Sequence, residues 1–132
     1  MHIKRFTTCL YVRDLAAASS FYVRHLGFTE ELGLEYVVKL GHQNPAFELC
    51  FLPLNSQFAP DDLPEPNRGV IVVLEVDDAA AELDRLRESG VEIAAELQDE
   101  PWGERCFQVR DPNGVTVQLV QWLKPRPGSE PA

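Results

Sequence analysis

Residues 10–15 read Leu-Tyr-Val-Arg-Asp-Leu, and the pattern returns 64 positions later as Leu-Glu-Val-Asp-Asp-Ala at residues 74–79. Each copy is a short apolar strand running into an acidic helix cap. Each following helix ends at a glycine, Gly27 and Gly90, 63 positions apart. A repeat of this length exceeds a solenoid unit, and two copies fill the chain, so the expectation is one domain built from paired modules. Paired modules can set equivalent strands around a shared cavity, and the side chains facing it then decide function.

The 132 residues are one domain's worth, and 45% of them are hydrophobic, enough for a core. No apolar run approaches the length of a membrane span. The N-terminal Met-His-Ile-Lys-Arg-Phe lacks the apolar stretch and cleavage site of a secretory signal, so the expected location is cytoplasmic. There the three cysteines, Cys9, Cys50 and Cys106, should be reduced thiols acting as small buried hydrophobes. Net charge is −9, and residues 54–104 hold fourteen acids against three bases. Such a surface repels phosphate backbones and excludes nucleic acid as a partner. It would attract a cationic small molecule.

Periodicity predicts strand, helix and three strands in each half. Strand character runs from Phe6 to Arg13. Asp14 caps a helix with the apolar stripe Leu15, Ala18, Phe21, Tyr22 and Leu26, which Gly27 stops. Strands follow over 28–33, 35–41 and 46–52, with breaks at Gly33 and at His42-Gln43-Asn44-Pro45. The stretch with Pro53, Pro60, Pro64 and Pro66 reads as a linker. Val70–Val76 is the next strand. Asp77 or Asp78 caps a helix with Ala79, Leu83 and Leu86 on its inner stripe. Strands over 91–97, 105–110 and 115–121 complete the half, the last two joined by a tight Asp111-Pro112-Asn113-Gly114 turn. The expected class is α+β: two βαβββ modules, 3–53 and 68–123, joined by a linker over 54–67, form curved mixed sheets around a cavity. They make a single domain over 1–124, and 125–132 is a disordered tail.

This order, with Leu-Tyr-Val-Arg-Asp-Leu, Phe-Tyr-Val-Arg-His-Leu-Gly-Phe, Phe-Glu-Leu and Arg-Asp-Pro-Asn-Gly-Val-Thr-Val-Gln-Leu-Val, resembles the vicinal-oxygen-chelate superfamily over about residues 3–122. That superfamily holds glyoxalase I, extradiol dioxygenases, fosfomycin-resistance enzymes and bleomycin-resistance proteins. The resemblance implies a homodimer. It also implies four metal-ligand positions, which fall here on Thr7, Glu48, Ile71 and Gln118. Glu48 alone is a strong ligand, since Thr7 and Gln118 offer neutral oxygens and Ile71 offers none. No metal and no cofactor are therefore expected, and His2, His25 and His42 read as surface residues.

Strand alternation assigns Thr7, Cys9 and Tyr11 to the cavity face, with Ala46, Glu48, Cys50 and Leu52. In the second half it assigns Ile71, Val73 and Glu75, Thr116, Gln118 and Val120, and Cys106, Gln108 and Arg110. Phe47, Leu49, Phe51, Phe107 and Val109 face the helices. Trp102 sits in a Pro101–Gly103 loop with Glu100 and Glu104 beside it. It is either a structural lid or an aromatic platform at the cavity mouth. Phe58 is a second aromatic candidate, while Tyr11 and Tyr36 read as core. The expected ligand contacts are Trp102, Glu48, Gln118, Thr7, Cys50, Phe58, Gln108 and Glu104, with no catalytic residue. Two minor readings remain: Glu48 as a metal-free general base with a raised pKa, and a cysteine nucleophile helped by Arg110.

The leading functional expectation is metal-free sequestration of a small organic molecule, an antibiotic or aromatic natural product. The alternative is a glyoxalase-like or dioxygenase-like enzyme with an atypical or absent metal site. A protein-interaction module that kept the fold and lost the pocket is the third.

Overall fold

Asp14 and Asp78 start the two helices in the same way. Both have extended backbones, and their carboxylates accept from Ala17 N at 2.9 Å and Ala81 N at 3.1 Å. Each satisfies an amide that the first helical turn leaves without a partner. The structure is a computed structural model and describes residues 1–43, 47–59 and 67–125. The expectations for Asn44, Pro45, Ala46, Pro60, Pro64, Pro66 and the tail beyond Pro125 fall outside the described residues.

The chain divides into two compact units at Arg68/Gly69. The first runs β1 (Thr8–Val12), α1 (Leu15–Leu26), β2 (Thr29–Leu34), β3 (Val37–Gly41) and β4 (Glu48–Pro53). Its four strands form an open sheet in the order β1-β4-β3-β2. β1 and β4 are parallel, and the other neighbours are antiparallel. Ala18, Phe21 and Tyr22 on α1 are buried together with Val38, Leu40, Leu49 and Phe51 of the sheet. The Tyr22 and Phe51 rings lie 5.2 Å apart. Gly27 ends α1 at φ 76°, a left-handed conformation that costs glycine no steric penalty.

The second unit repeats the plan with β5 (Ile71–Glu75), α2 (Ala79–Glu88), β6 (Glu92–Asp99), β7 (Glu104–Arg110) and β8 (Thr116–Trp122). Its sheet order is β5-β8-β7-β6, with β5 parallel to β8. Leu83 and Leu86 of α2 are buried with Phe107, Val109, Val117 and Leu119. Gln121 Oε1 accepts from Ala79 N at 3.0 Å, so β8 helps to hold the start of α2. In the β7–β8 turn the buried Asp111 accepts from Asn113 N at 2.8 Å and Val115 N at 2.9 Å.

The α+β class and the two βαβββ modules are as expected. Several local expectations are corrected. Gly33 lies inside β2, and Glu35-Tyr36 make the turn instead, with Tyr36 66% exposed rather than in the core. Pro53 is the last residue of the interior strand β4, paired with Val12 of β1 and beyond the register with β3, so its missing N–H breaks no ladder bond to β3. Trp122 lies within β8, not beyond it, opposite Glu104. No helix among the described residues is long and apolar enough to cross a membrane.

Candidate functional site

Alternation along each strand gives each sheet one face under its helix and one face away from it. In the first unit the face away from α1 carries a charged cluster around Glu48. Its side chain is 2% exposed. Lys39 Nζ lies 2.5 Å from Oε1 and Arg5 Nε 3.2 Å from Oε2. Thr7 adds the smallest of the influences that lower the carboxyl's pKa. Lys39 reaches Glu48 because β3 and β4 run antiparallel, with Lys39 opposite Cys50 and Gly41 opposite Glu48.

The hydrogen bond from Lys39 holds the Glu48 carboxyl below its ordinary value, burial opposes this, and the Arg5 and Lys39 charges reinforce it. This corrects the reading of Glu48 as a base with a raised pKa, because two cations outweigh desolvation. Sequence alternation missed both partners. Lys39 is the only base in β3, between Val38 and Leu40, which was the available signal. Arg5 precedes β1 and gave no periodic signal.

Cys50 sits across the sheet from Cys9 as well as from Lys39. Burial, then the contact with Cys9, pushes the Cys50 thiol up to about 11. Cys50 is buried as expected, but Cys9 is exposed, which corrects its reading as a buried hydrophobe. Tyr11 is half-buried and donates from its hydroxyl to Phe58 O at 2.7 Å, so the exposed Phe58 is tied to β1 through its backbone. Phe47 is 48% exposed rather than under the helix. His42 is half-buried rather than a surface residue. Its ring meets Phe28 edge-on and lies tilted against Phe47, at centroid distances of 5.4 and 5.6 Å.

In the second unit the face away from α2 is more apolar. Ile71 and Val73 are 50% and 56% exposed. Val73 lies opposite Gln118, and Gln118 opposite Gln108. Gln108 Nε2 donates to Gln118 Oε1 at 2.8 Å, so the two amides form a fixed pair. Glu104 and Cys106 continue this face along β7.

Trp102, 54% exposed, lies in the β6–β7 turn and donates from its indole nitrogen to Glu104. The turn is closed by Gly103 N to Glu100 O at 3.0 Å and Glu100 N to Glu104 O at 2.7 Å. Burial first, then Glu100, Glu104 and Asp99, raise the Cys106 pKa. Arg110 lies near Glu92, at 3.9 Å, rather than beside a thiol. A cysteine nucleophile helped by Arg110 is thereby corrected, because acids dominate the field at Cys106.

These two modules, with their helix-free sheet faces, are those of the vicinal-oxygen-chelate fold. The family model described as Glyoxalase/Bleomycin resistance protein/Dioxygenase superfamily matches residues 2–119, and the chain belongs to that superfamily. A glyoxalase/bleomycin resistance protein/dioxygenase from Nocardioides is similar at 23% identity, with TM-score 0.75, over 100% of this chain and 91% of its own. Lactoylglutathione lyase from Agrobacterium tumefaciens is similar at 22% identity and TM-score 0.70, over 91% of this chain and 95% of its own. TioX from Micromonospora sp. ML1 is similar at 21% identity and TM-score 0.72, over 92% and 100%. Likeness at this level concerns the fold. No curated protein matches the chain.

The residues at the four positions that the resemblance assigns to a metal do not fit one. Glu48 is already neutralised by Lys39 and Arg5, and the Gln118 amide oxygen is taken by Gln108. Ile71 has no donor atom. Among the described residues no three His, Cys, Asp or Glu side chains group as a metal site. A divalent cation brought to Glu48 would have to displace two resident cations.

Proposed function

We propose that this chain binds a small organic molecule without a metal and without transforming it. The ligand class is an antibiotic or similar aromatic natural product, planar or cationic, which the protein sequesters. The observation that carries this reading is the Lys39–Glu48 ion pair. The strongest metal-ligand residue of the four positions serves as counter-ion to a lysine. The second sheet supplies what a binder needs: exposed Ile71 and Val73, a pre-formed amide pair at Gln108 and Gln118, and an indole held at its edge by Glu104. In the first unit the proposed contacts are Thr7, Glu48, Cys50 and Phe58, with Lys39 now joined to them. Bleomycin resistance is part of the superfamily's own description, which supports the class of ligand. The reading includes a homodimer, which the resemblance implies, and a cytoplasmic location, expected from the sequence.

The test is calorimetric titration of metal-stripped protein with bleomycin and a panel of planar cationic aromatic compounds. Saturable binding, unchanged by added zinc or nickel, is the expected result. Metal-dependent turnover of the adduct of methylglyoxal and glutathione would overturn the reading in favour of a glyoxalase-type enzyme.

A further inference from the structure

Cys9 and Cys50 are direct register partners on the parallel strands β1 and β4. Neighbouring strands lie about 4.8 Å apart. That spacing falls within the roughly 4.4–6.8 Å between α-carbons that a disulfide spans. Register partners point to the same side of a sheet, so both thiols lie on one face of it. Cys9 is exposed and Cys50 is buried. Lys39 is the register partner of Cys50 on its other side, so the row across the sheet reads Cys9, Cys50, Lys39. Cys106 lies in the other unit, on β7.

We propose that Cys9 and Cys50 form a reversible redox pair: exposed Cys9 reacts first with a low-molecular-weight disulfide, and buried Cys50 closes the bridge across β1 and β4. In the first step the Cys9 thiolate attacks one sulfur of the oxidant. A Cys9–oxidant bond forms, the oxidant's S–S bond breaks, and one small thiolate leaves. In the second step Cys50 gives up its proton, and its sulfur attacks Cys9 Sγ. The Cys9–Cys50 bond forms and the second small thiolate leaves. The two protons end on the two departing thiols. The protein dithiol is oxidised by two electrons, and one disulfide is reduced to two thiols. Burial, Cys9 and Glu48 oppose the Cys50 thiolate and the Lys39 ammonium favours it, so the second step is the slower of the two. This chemistry stands independently of the proposed ligand binding.

The experiment treats the folded, full-length protein with glutathione disulfide and follows it by intact mass, thiol titration and tryptic mapping. Two of the three thiols should be lost, with a mass decrease of two hydrogens and no retained glutathione. The peptides 6–13 and 40–68 should appear linked, while 106–110 carries a free thiol. Dithiothreitol should restore all three thiols. In Cys50→Ser a stable glutathione adduct should accumulate on Cys9, and in Cys9→Ser Cys50 should stay reduced. Cys106→Ser should behave as the unmodified sequence does. A bridge between copies, a bridge to Cys106, or glutathione retained on Cys9 of the unsubstituted protein would each overturn the proposal. So would no reaction at Cys9.

Discussion

Lys39 Nζ lies 2.5 Å from Glu48 Oε1, on the strand next to it and on the same face of the sheet. The carboxylate is enclosed, while the lysine side chain remains 33% exposed. The charged groups this cluster offers to solvent are therefore the Lys39 ammonium and the Arg5 guanidinium, not the carboxylate.

That pair gives the protein an acid-sensitive element. Lys39 first, and Arg5 after it, hold Glu48 below its ordinary value of 4.5 against the opposing effect of burial. A carboxyl depressed on folding contributes stability above its unfolded value, and that contribution is lost as pH falls through its folded value. Thermal melts should therefore fall off as pH drops below 4.5. Asp99, depressed chiefly by its hydrogen bond from Arg105, loses its contribution in the acid range too. Lys39→Met should lower the melting temperature at neutral pH and flatten, without abolishing, the acid limb. Superimposable acid limbs for the two proteins would show that the pair is electrostatically idle.

Metal content follows from the same pair. After dialysis against chelator and then against buffer with zinc or nickel, elemental analysis should find far less than one ion per chain. Methylglyoxal with glutathione should give no lactoylglutathione above the uncatalysed background, because the four positions cannot polarise a substrate oxygen through a bound ion. Metal-dependent activity that disappears in Glu48→Gln would show that the lysine yields its place to a cation.

Gly103 is the residue on which the β6–β7 turn depends. Its φ is 104°, a region that L side chains rarely adopt, and an added β-carbon would come within 2.5 Å of Lys124 Cε. The lysine chain can swing aside, so the cost of Gly103→Ala is backbone strain, about 1–3 kcal/mol. Asp78→Ala, which removes the α2 cap, should cost about 1 kcal/mol. Leu86→Ala, which opens a void under the same helix, should cost about 2–5 kcal/mol. Urea denaturation gives all three. Gly103→Ala should in addition shift the Trp102 emission, which neither of the other substitutions should do.

Element order was legible in the sequence because each element carries its own period: Ala18, Phe21 and Tyr22 on α1, and Phe107 and Val109 on β7, fall on buried faces as alternation requires. The Asp14 cap and the Asp111 turn were legible for the same local reason, and the second cap was narrowed to Asp77 or Asp78, of which Asp78 is the one. The charged cluster was not. Whether Lys39 meets Glu48 depends on the register between β3 and β4, a long-range property that no single strand's pattern encodes. Exposure misled in the opposite direction. Tyr36 and Cys9 are residue types that usually lie inside, yet one sits in a two-residue turn and the other on the helix-free face of an edge strand.

The β6–β7 turn supplies the sharpest test of ligand binding. Trp102 is fixed at its indole nitrogen by Glu104, but it is 54% exposed, so a ring face is open to a partner. Stacking contributes about 0.5–1.5 kcal/mol beyond area burial, and a cation over the ring up to about 2 kcal/mol. Glu100 and Glu104 should add an attraction that weakens with salt. Trp122 ends β8 opposite Glu104, so its emission would report on the same turn. The titration therefore belongs in a Trp122→Phe background, where Trp102 is the only indole. A planar cationic aromatic should quench its fluorescence, less so at high salt. In the unsubstituted background, Trp102→Ala should leave the melting temperature nearly unchanged while weakening calorimetric affinity roughly tenfold, the equivalent of about 1.4 kcal/mol. A Trp102→Ala protein that unfolds would make the indole a structural lid. One that folds and binds every compound unchanged would move the search for the ligand to Lys39 and Glu48.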